Sequence, residues 1–291
     1  MIKLWGIPIR IHPLFTLLML LSVVTGYFLE LSILFGIVFI HELGHIAVAK
    51  SFRWQIKEIR LLPFGGVAVT DEAEKAPGYQ ELLVAAAGPL QNGWMIVLTL
   101  LLQKTGVWGN AWSEYFIRAN AMIALFNLLP IFPLDGGRIV KMWLSYNWTY
   151  YRALLITSII SLLLSFMMIV AAFIRIRTAG IEMNLLIIGT FLLFSNFYEW
   201  RSIPYYFIRF LMNRETRMDH LIHKGTLAQP IVVKKYRTIM EIMHLFMREK
   251  YHLIYVMDDH GKVHAVLPEQ RLLYTLLIQK NPGSAVSELF M

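Results

Sequence analysis

Six long apolar stretches alternate with polar connections along this chain of 291 residues. Ile11–Leu29 carries no charge beyond that of His12, and Leu31–Ala49 is apolar except for His41, Glu42 and His45. Leu82–Gln103 and Ala153–Ile174 contain no Asp, Glu, Lys or Arg, and Ala119–Leu134 and Met183–Tyr198 are shorter runs of the same kind. About 20 such residues cross a bilayer as a helix, the form that pairs every backbone group internally. The pattern predicts an α-helical polytopic membrane protein with six transmembrane helices. The first stretch reads as a span rather than a cleaved leader, because no small-x-small site follows and the second span begins almost at once.

The connections orient the spans. With the N-terminus inside, ten Lys and Arg fall in the inner connections and four in the outer ones. That bias puts both termini in the cytoplasm. Beyond Trp200 the long apolar runs stop. Arg201–Gln229 is charged and mixed and reads as a helical linker, and a soluble module follows. Ile231–Lys234 predicts a strand, Thr238–Lys250 an amphipathic helix and His252–Met257 a second strand. Asp258–Gly261 turns the chain into a strand over Lys262–Leu267, and Glu269–Ile278 closes with a helix. The expected division is a membrane domain over 1–200, a linker over 201–229 and a small cytoplasmic α/β domain over 230–291.

Composition agrees with the membrane reading. Hydrophobic residues make up 57% and charged ones 16%, whereas soluble domains are about 45–50% apolar and about 25% charged. The absence of cysteine removes disulfides, thiolate metal sites and thiol catalysis together. A net charge of +8 is no nucleic-acid signal here, since the basic residues flank apolar runs.

Chemistry concentrates in the second stretch. His41-Glu42-Leu43-Gly44-His45 is an H-E-x-x-H motif, and residues i and i+4 share a helix face, so both imidazoles reach one metal ion. Glu42 sits beside them, placed to take a proton from water at that metal. The alternative is two packing histidines and a glutamate reaching for water at the helix end. A carboxylate inside a spanning helix costs about 2.5–3.5 kcal/mol on insertion scales, which favours the functional reading. A catalytic zinc takes three protein ligands. By elimination Asp135 is the best-placed third, because it follows Pro130 and Pro133, precedes Gly136 and Gly137, and enters from the same side. Asp135 also suits the cap of a following helix, and the two roles are compatible.

Two further segments complete a family pattern. HELGH on an apolar helix, then Asn127-Leu128-Leu129-Pro130-Ile131-Phe132-Pro133-Leu134-Asp135-Gly136-Gly137, resembles the site-2 protease family of intramembrane zinc metalloproteases. Ala87-Gly88-Pro89-Leu90-Gln91-Asn92 resembles that family's A-G-P-x-x-N segment. The whole chain looks most like members from endospore formers. The resemblance implies a site-2 protease core, Zn2+ held by His41, His45 and Asp135, Glu42 as general base, and Asn127 lining the site to polarise the substrate carbonyl. It implies a membrane-associated protein substrate, a pro-sigma factor during sporulation, and an inhibitory membrane protein partner. The expected location is the mother-cell membrane around the forespore. Ile56–Val69, with Pro63 and Gly65-Gly66 amid apolar residues, reads as a hairpin or re-entrant loop whose edge suits an extended substrate.

The strand–helix–strand–strand–helix order of the C-terminal domain resembles one cystathionine-β-synthase (CBS) motif, which implies pairing into a homo-oligomer and ATP binding. Pro268 and Arg271 stand where that motif carries Thr and Asp, so pairing ranks above nucleotide binding. Three other readings compete. One is a metal transporter using His41, Glu42, His45 and Asp135 as a transit site, against which stands the lack of internal repeats. Another is a catalytically silent scaffold, for which Glu42 has no use. The third is a site-2 protease acting on an anti-sigma factor or another membrane protein.

Overall fold

The computed structural model describes every residue except 1, 5–6, 12, 63–64, 71–75, 107, 175–180, 215–217, 219–221, 224, 278–282 and 291. The chain divides into two compact units, Met1–Ile139 and Val140–Met291.

The first unit combines a four-stranded sheet with apolar helices. Strands β1 (Ile2–Leu4), β2 (Ile7–Ile11), β3 (Ile56–Leu62) and β4 (Gly65–Thr70) lie in the order β1-β2-β3-β4. β2 and β3 run parallel, which requires a long crossover, and helices α1 (Pro13–Thr25) and α2 (Phe28–Ser51) supply it. β3 and β4 form a hairpin, one of the two readings of Ile56–Val69, with a register shift between Ile56 and Glu58. β4 ends the sheet, so among the described residues one of its edges has no strand beside it. Helices α3 (Gly78–Lys104) and α4 (Asn110–Asn127) follow. α2 and α3 approach closely because Gly44 lacks a side chain: a Cβ there would stand 2.9 Å from the Ala87 carbonyl oxygen. Ile37 of α2, Met95 of α3 and Ala119 of α4 bury one another.

The fourth apolar run folds differently from the span expected over Ala119–Leu134. The helix begins earlier and stops at Asn127, and Leu128–Leu134 is irregular before helix α5 (Asp135–Asn147). Pro130 and Pro133 have no amide hydrogen to give to a preceding carbonyl, so apolarity continues where a helix cannot.

In the second unit α6 (Tyr150–Ile174) packs along α7 (Met183–Arg201), joined by the Asn196 amide donating 3.3 Å to Ser165 Oγ. Among the described residues α2, α3 and α6 are long and apolar enough to cross a membrane. Helix α8 (Ile203–Met212) then leads toward a three-stranded sheet of β5 (Ala228–Lys234), β6 (Tyr251–Met257) and β7 (Val263–Pro268). β5 pairs parallel with β6, and β6 antiparallel with β7. Short helix α9 (Ile239–Met243) and helix α10 (Glu269–Leu277) cover the sheet. Alternate side chains of β6 are buried, as a strand with one covered face demands.

The order is the one expected from sequence, but the helix expected over Thr238–Lys250 is cut short. Thr238 starts it with a reciprocal capping box to Glu241. It then breaks into turns, since Phe246 and Arg248 are both carried into the interior. The core joins Phe246, Ile254 and Leu272 to Ile203, Phe207 and Leu211 of α8 and to Tyr150 and Leu154 of α6. Tyr150 stacks on Phe210 at 4.2 Å, and its amide donates to the Phe246 carbonyl.

One buried charge cluster in this unit is closed upon itself. Arg214 Nε donates to Glu269 Oε1 and Nη2 to Oε2, both at 2.9 Å, and Nη1 donates to the Met247 carbonyl. The His252 amide donates to the same carboxylate. Both side chains of the Arg214–Glu269 pair are 0% exposed.

Candidate metal centre

Two helices build the site and a loop completes it. His41 and His45 lie one turn apart on α2, facing α3, and are 3% and 8% exposed. His45 Nδ1 lies 2.6 Å from the Val84 carbonyl oxygen, which only accepts, so that nitrogen carries the hydrogen. His41 Nδ1 lies 2.6 Å from Asn92 Oδ1. The Asn92 amide nitrogen donates 3.3 Å to the Asn120 carbonyl, which orients its oxygen toward His41 and makes His41 Nδ1 a donor too. In both neutral rings the lone pair is therefore on Nε2.

Those two Nε2 atoms face each other at 3.1 Å. Asp135 Oδ2 lies 3.2 Å from each of them. Two nitrogen lone pairs and a carboxylate oxygen thus form a small buried triangle, and Asp135 Oδ2 has no hydrogen-bond partner among the described residues. Three acceptors this close repel unless a cation is shared among them. A tetrahedral zinc with bonds of about 2.0–2.1 Å separates its ligand atoms by roughly 3.3 Å, close to each edge seen here. The residues present fit a zinc ion.

Local sequence explains the geometry. A Cβ at Gly88 would come within 2.3 Å of His45 Nε2 and 2.5 Å of His41 Nε2, so α3 must carry glycine opposite the rings. A Cβ at Gly136 would lie 2.2 Å from the Leu128 and Leu129 carbonyl oxygens, and one at Gly137 would lie 2.8 Å from Ile131. The two glycines let the start of α5 nest against Leu128–Ile131, which sets Asp135 opposite the histidines. Glu42, half-buried, groups with His41 and His45 within 4.8 Å, measured between ligand atoms. Asn127, at the last turn of α4, donates 3.0 Å to the Ile123 carbonyl and keeps a second amide hydrogen. The structure brings His41, Glu42, His45 and Asp135 together, and the described contacts of Asn127 are with its own helix. His12 lies outside the described residues.

Sequence reasoning gave no role to Asn92, although the motif containing it was legible. Its role depends on α2 and α3 lying side by side. The Val84 carbonyl has no sequence signal at all, because any residue supplies one.

Comparison with known proteins bears on the family of this chain. Residues 29–108 match Peptidase family M50. The chain is 30% identical over 285 residues to Stage IV sporulation protein FB of Bacillus subtilis (strain 168), covering 98% of this chain and 96% of that protein. It is also 30% identical over 274 residues to a zinc metalloprotease of Methanocaldococcus jannaschii, covering 90% of this chain and 75% of the other. Among solved structures, the site-2 protease from Methanocaldococcus jannaschii superposes with a TM-score of 0.55 at 30% identity, covering 69% of this chain and 94% of that one. With that coverage and an acceptor triangle built on H-E-x-x-H, the chain belongs to the site-2 proteases of peptidase family M50 and is a metalloprotease.

Proposed function

We propose that the protein is an intramembrane zinc endopeptidase in which His41, His45 and Asp135 hold the metal and Glu42 is the general base. The observation that carries this reading is the triangle of Nε2, Nε2 and Oδ2 at 3.1 and 3.2 Å, with both Nδ1 atoms committed elsewhere. A bound zinc supplies a Lewis acid that polarises water and the scissile carbonyl. Glu42 takes the proton released as water attacks, and passes it to the leaving amine. Asn127 offers its second amide hydrogen to the carbonyl oxygen as charge develops there. The free edge of β4 receives the substrate as an added strand, which exposes a peptide bond that a helix would keep paired.

In the same reading the chain crosses the membrane six times, with both termini in the cytoplasm. Residues 201–229 tie a CBS-like cytoplasmic module, 230–291, to the membrane body, 1–200. That module pairs with its copy in a second subunit, with ATP as its candidate ligand. The likeness to Stage IV sporulation protein FB supports a membrane-tethered pro-sigma factor as substrate, an inhibitory membrane partner, and residence in the mother-cell membrane around the forespore.

Metal analysis of the detergent-purified protein, paired with cleavage by Glu42→Gln, tests the assignment. One zinc per chain and a metal-loaded but inactive variant is the expected result. Near-normal turnover by Glu42→Gln would sink it, and metal flux into vesicles would favour a transporter.

A further inference from the structure

A second polar constellation lies at the other end of α2. Glu30 stands in its first turn, eleven residues before His41, or roughly 16 Å along the helix. It lines a cavity of about 290 Å3 between α1, α2 and α4, walled by Leu18, Leu21 and Leu34. That volume is just below the ~300–1,000 Å3 that holds small molecules, and suits a single side chain better.

Three of the four hydroxyls in the lining are committed to backbone carbonyls. Ser22 Oγ donates to the Met19 carbonyl at 2.7 Å, Thr25 Oγ1 to that of Leu21 at 3.0 Å, and Tyr115 Oη to that of Glu30 at 3.1 Å. With those hydrogens committed, each hydroxyl can offer the cavity only lone pairs. Glu30 Oε2 is buried and has no hydrogen-bond partner among the described residues. Tyr27 adds one further hydroxyl to the lining, and against it stand four acceptors, one of them a carboxylate in an apolar helix, which together call for a cationic donor. They sit on three different helices, which suits the compact ammonium of lysine, with three rotatable donors, better than a planar guanidinium.

We propose that this cavity is a docking site for a lysine side chain presented by the membrane segment of a partner protein. The apolar walls receive the stem of the lysine and Glu30 its ammonium. The inference rests on the membrane partner proposed above, but the site is remote from the metal centre.

The test uses full-length protein in proteoliposomes and two synthetic spanning peptides of about 20 leucines and alanines. One carries a single lysine a turn from its non-cytoplasmic end and the other a leucine there. Energy transfer between labels reads association. The wild-type protein should favour the lysine peptide at least ten-fold, and Glu30→Gln should abolish the preference. Leu21→Trp narrows the cavity while leaving the carboxylate, and should weaken association with the lysine peptide. Glu30→Lys should transfer the preference to a peptide bearing glutamate. Equal association of both peptides with the wild type, or a preference that survives Glu30→Gln, overturns the proposal. Neither turnover nor metal content is read, so a failure here is distinguishable from a failure of the protease assignment.

Discussion

The proposed metal centre and the Arg214 cluster are both buried pairings of histidine with carboxylate, and they are completed in opposite ways. Around Glu269, Arg214 supplies the positive charge and donors fill the carboxylate, so the group is closed within the chain. Around Asp135 the nearest atoms are two more acceptors, so the cation that would close the group is not among them. A closed cluster is a strut, because the only way to change it is to break it. An open one is a receptor. The proximity of histidine to carboxylate does not distinguish them, and the balance of donors and acceptors does.

The comparison can be broken most severely at Glu42. Glu42→Gln should retain metal and lose about 10²–10⁴-fold in turnover, the usual contribution of a general base. His41→Ala and His45→Ala should lose metal and turnover together, as read by metal content beside a cleavage assay.

Arg214→Ala should act on the other cluster alone. It leaves Glu269 buried without its cation, which costs about 3–5 kcal/mol. Hydrogen exchange should show lost protection in β6 and α10, while the metal content of protein that remains folded stays full. Loss of metal in that folded fraction would show that the two clusters are not separate.

Asn92→Ala removes the acceptor that fixes His41. Metal affinity should fall about 10–100-fold, the usual cost of deleting a partner that orients a ligand. Competition with a chelator measures it, and Asn92→Asp, which keeps an acceptor, should recover most of the loss.

The smallest effect concerns pH. Burial holds the His252 imidazole below its ordinary value of 6.5. For Glu269, burial pushes upward, but the hydrogen bond with His252 and the charge of Arg214 outweigh it and leave the carboxyl below 4.5. Both folded values lie under the unfolded ones, so both contributions are complete above the unfolded value and are lost on acidification. His252 weakens the domain as pH falls below about 6.5, and Glu269 adds its loss below about 4.5. Protection of β6 amides should therefore decline from pH 7 to 5, and His252→Gln should flatten that decline.

Much of the proposed metal centre was legible because its residues come in two short runs. HELGH is read off one helix face, and Asp135 stands out beside prolines and glycines that no helix interior tolerates. The end of α4 misled the eye, since apolarity persists through Leu134 while Pro130 and Pro133 forbid the helix. The Arg214–Glu269 pair was invisible, because its partners are 55 residues apart and each looks like a solvated surface charge. For the same reason Arg201–Gln229 reads as a helical linker. The helix is present, but no local signal reveals that Phe207 and Leu211 belong to a core.

Gly88 carries a consequence that reaches beyond packing. With α3 pressed against both imidazoles and each Nδ1 tied to that same helix, neither ring retains freedom to rotate. The entropy of arranging the two proposed metal ligands is thus surrendered when α2 and α3 associate, before any ion arrives. A single absent methyl group makes the histidines a rigid template, so metal affinity is written into helix association itself.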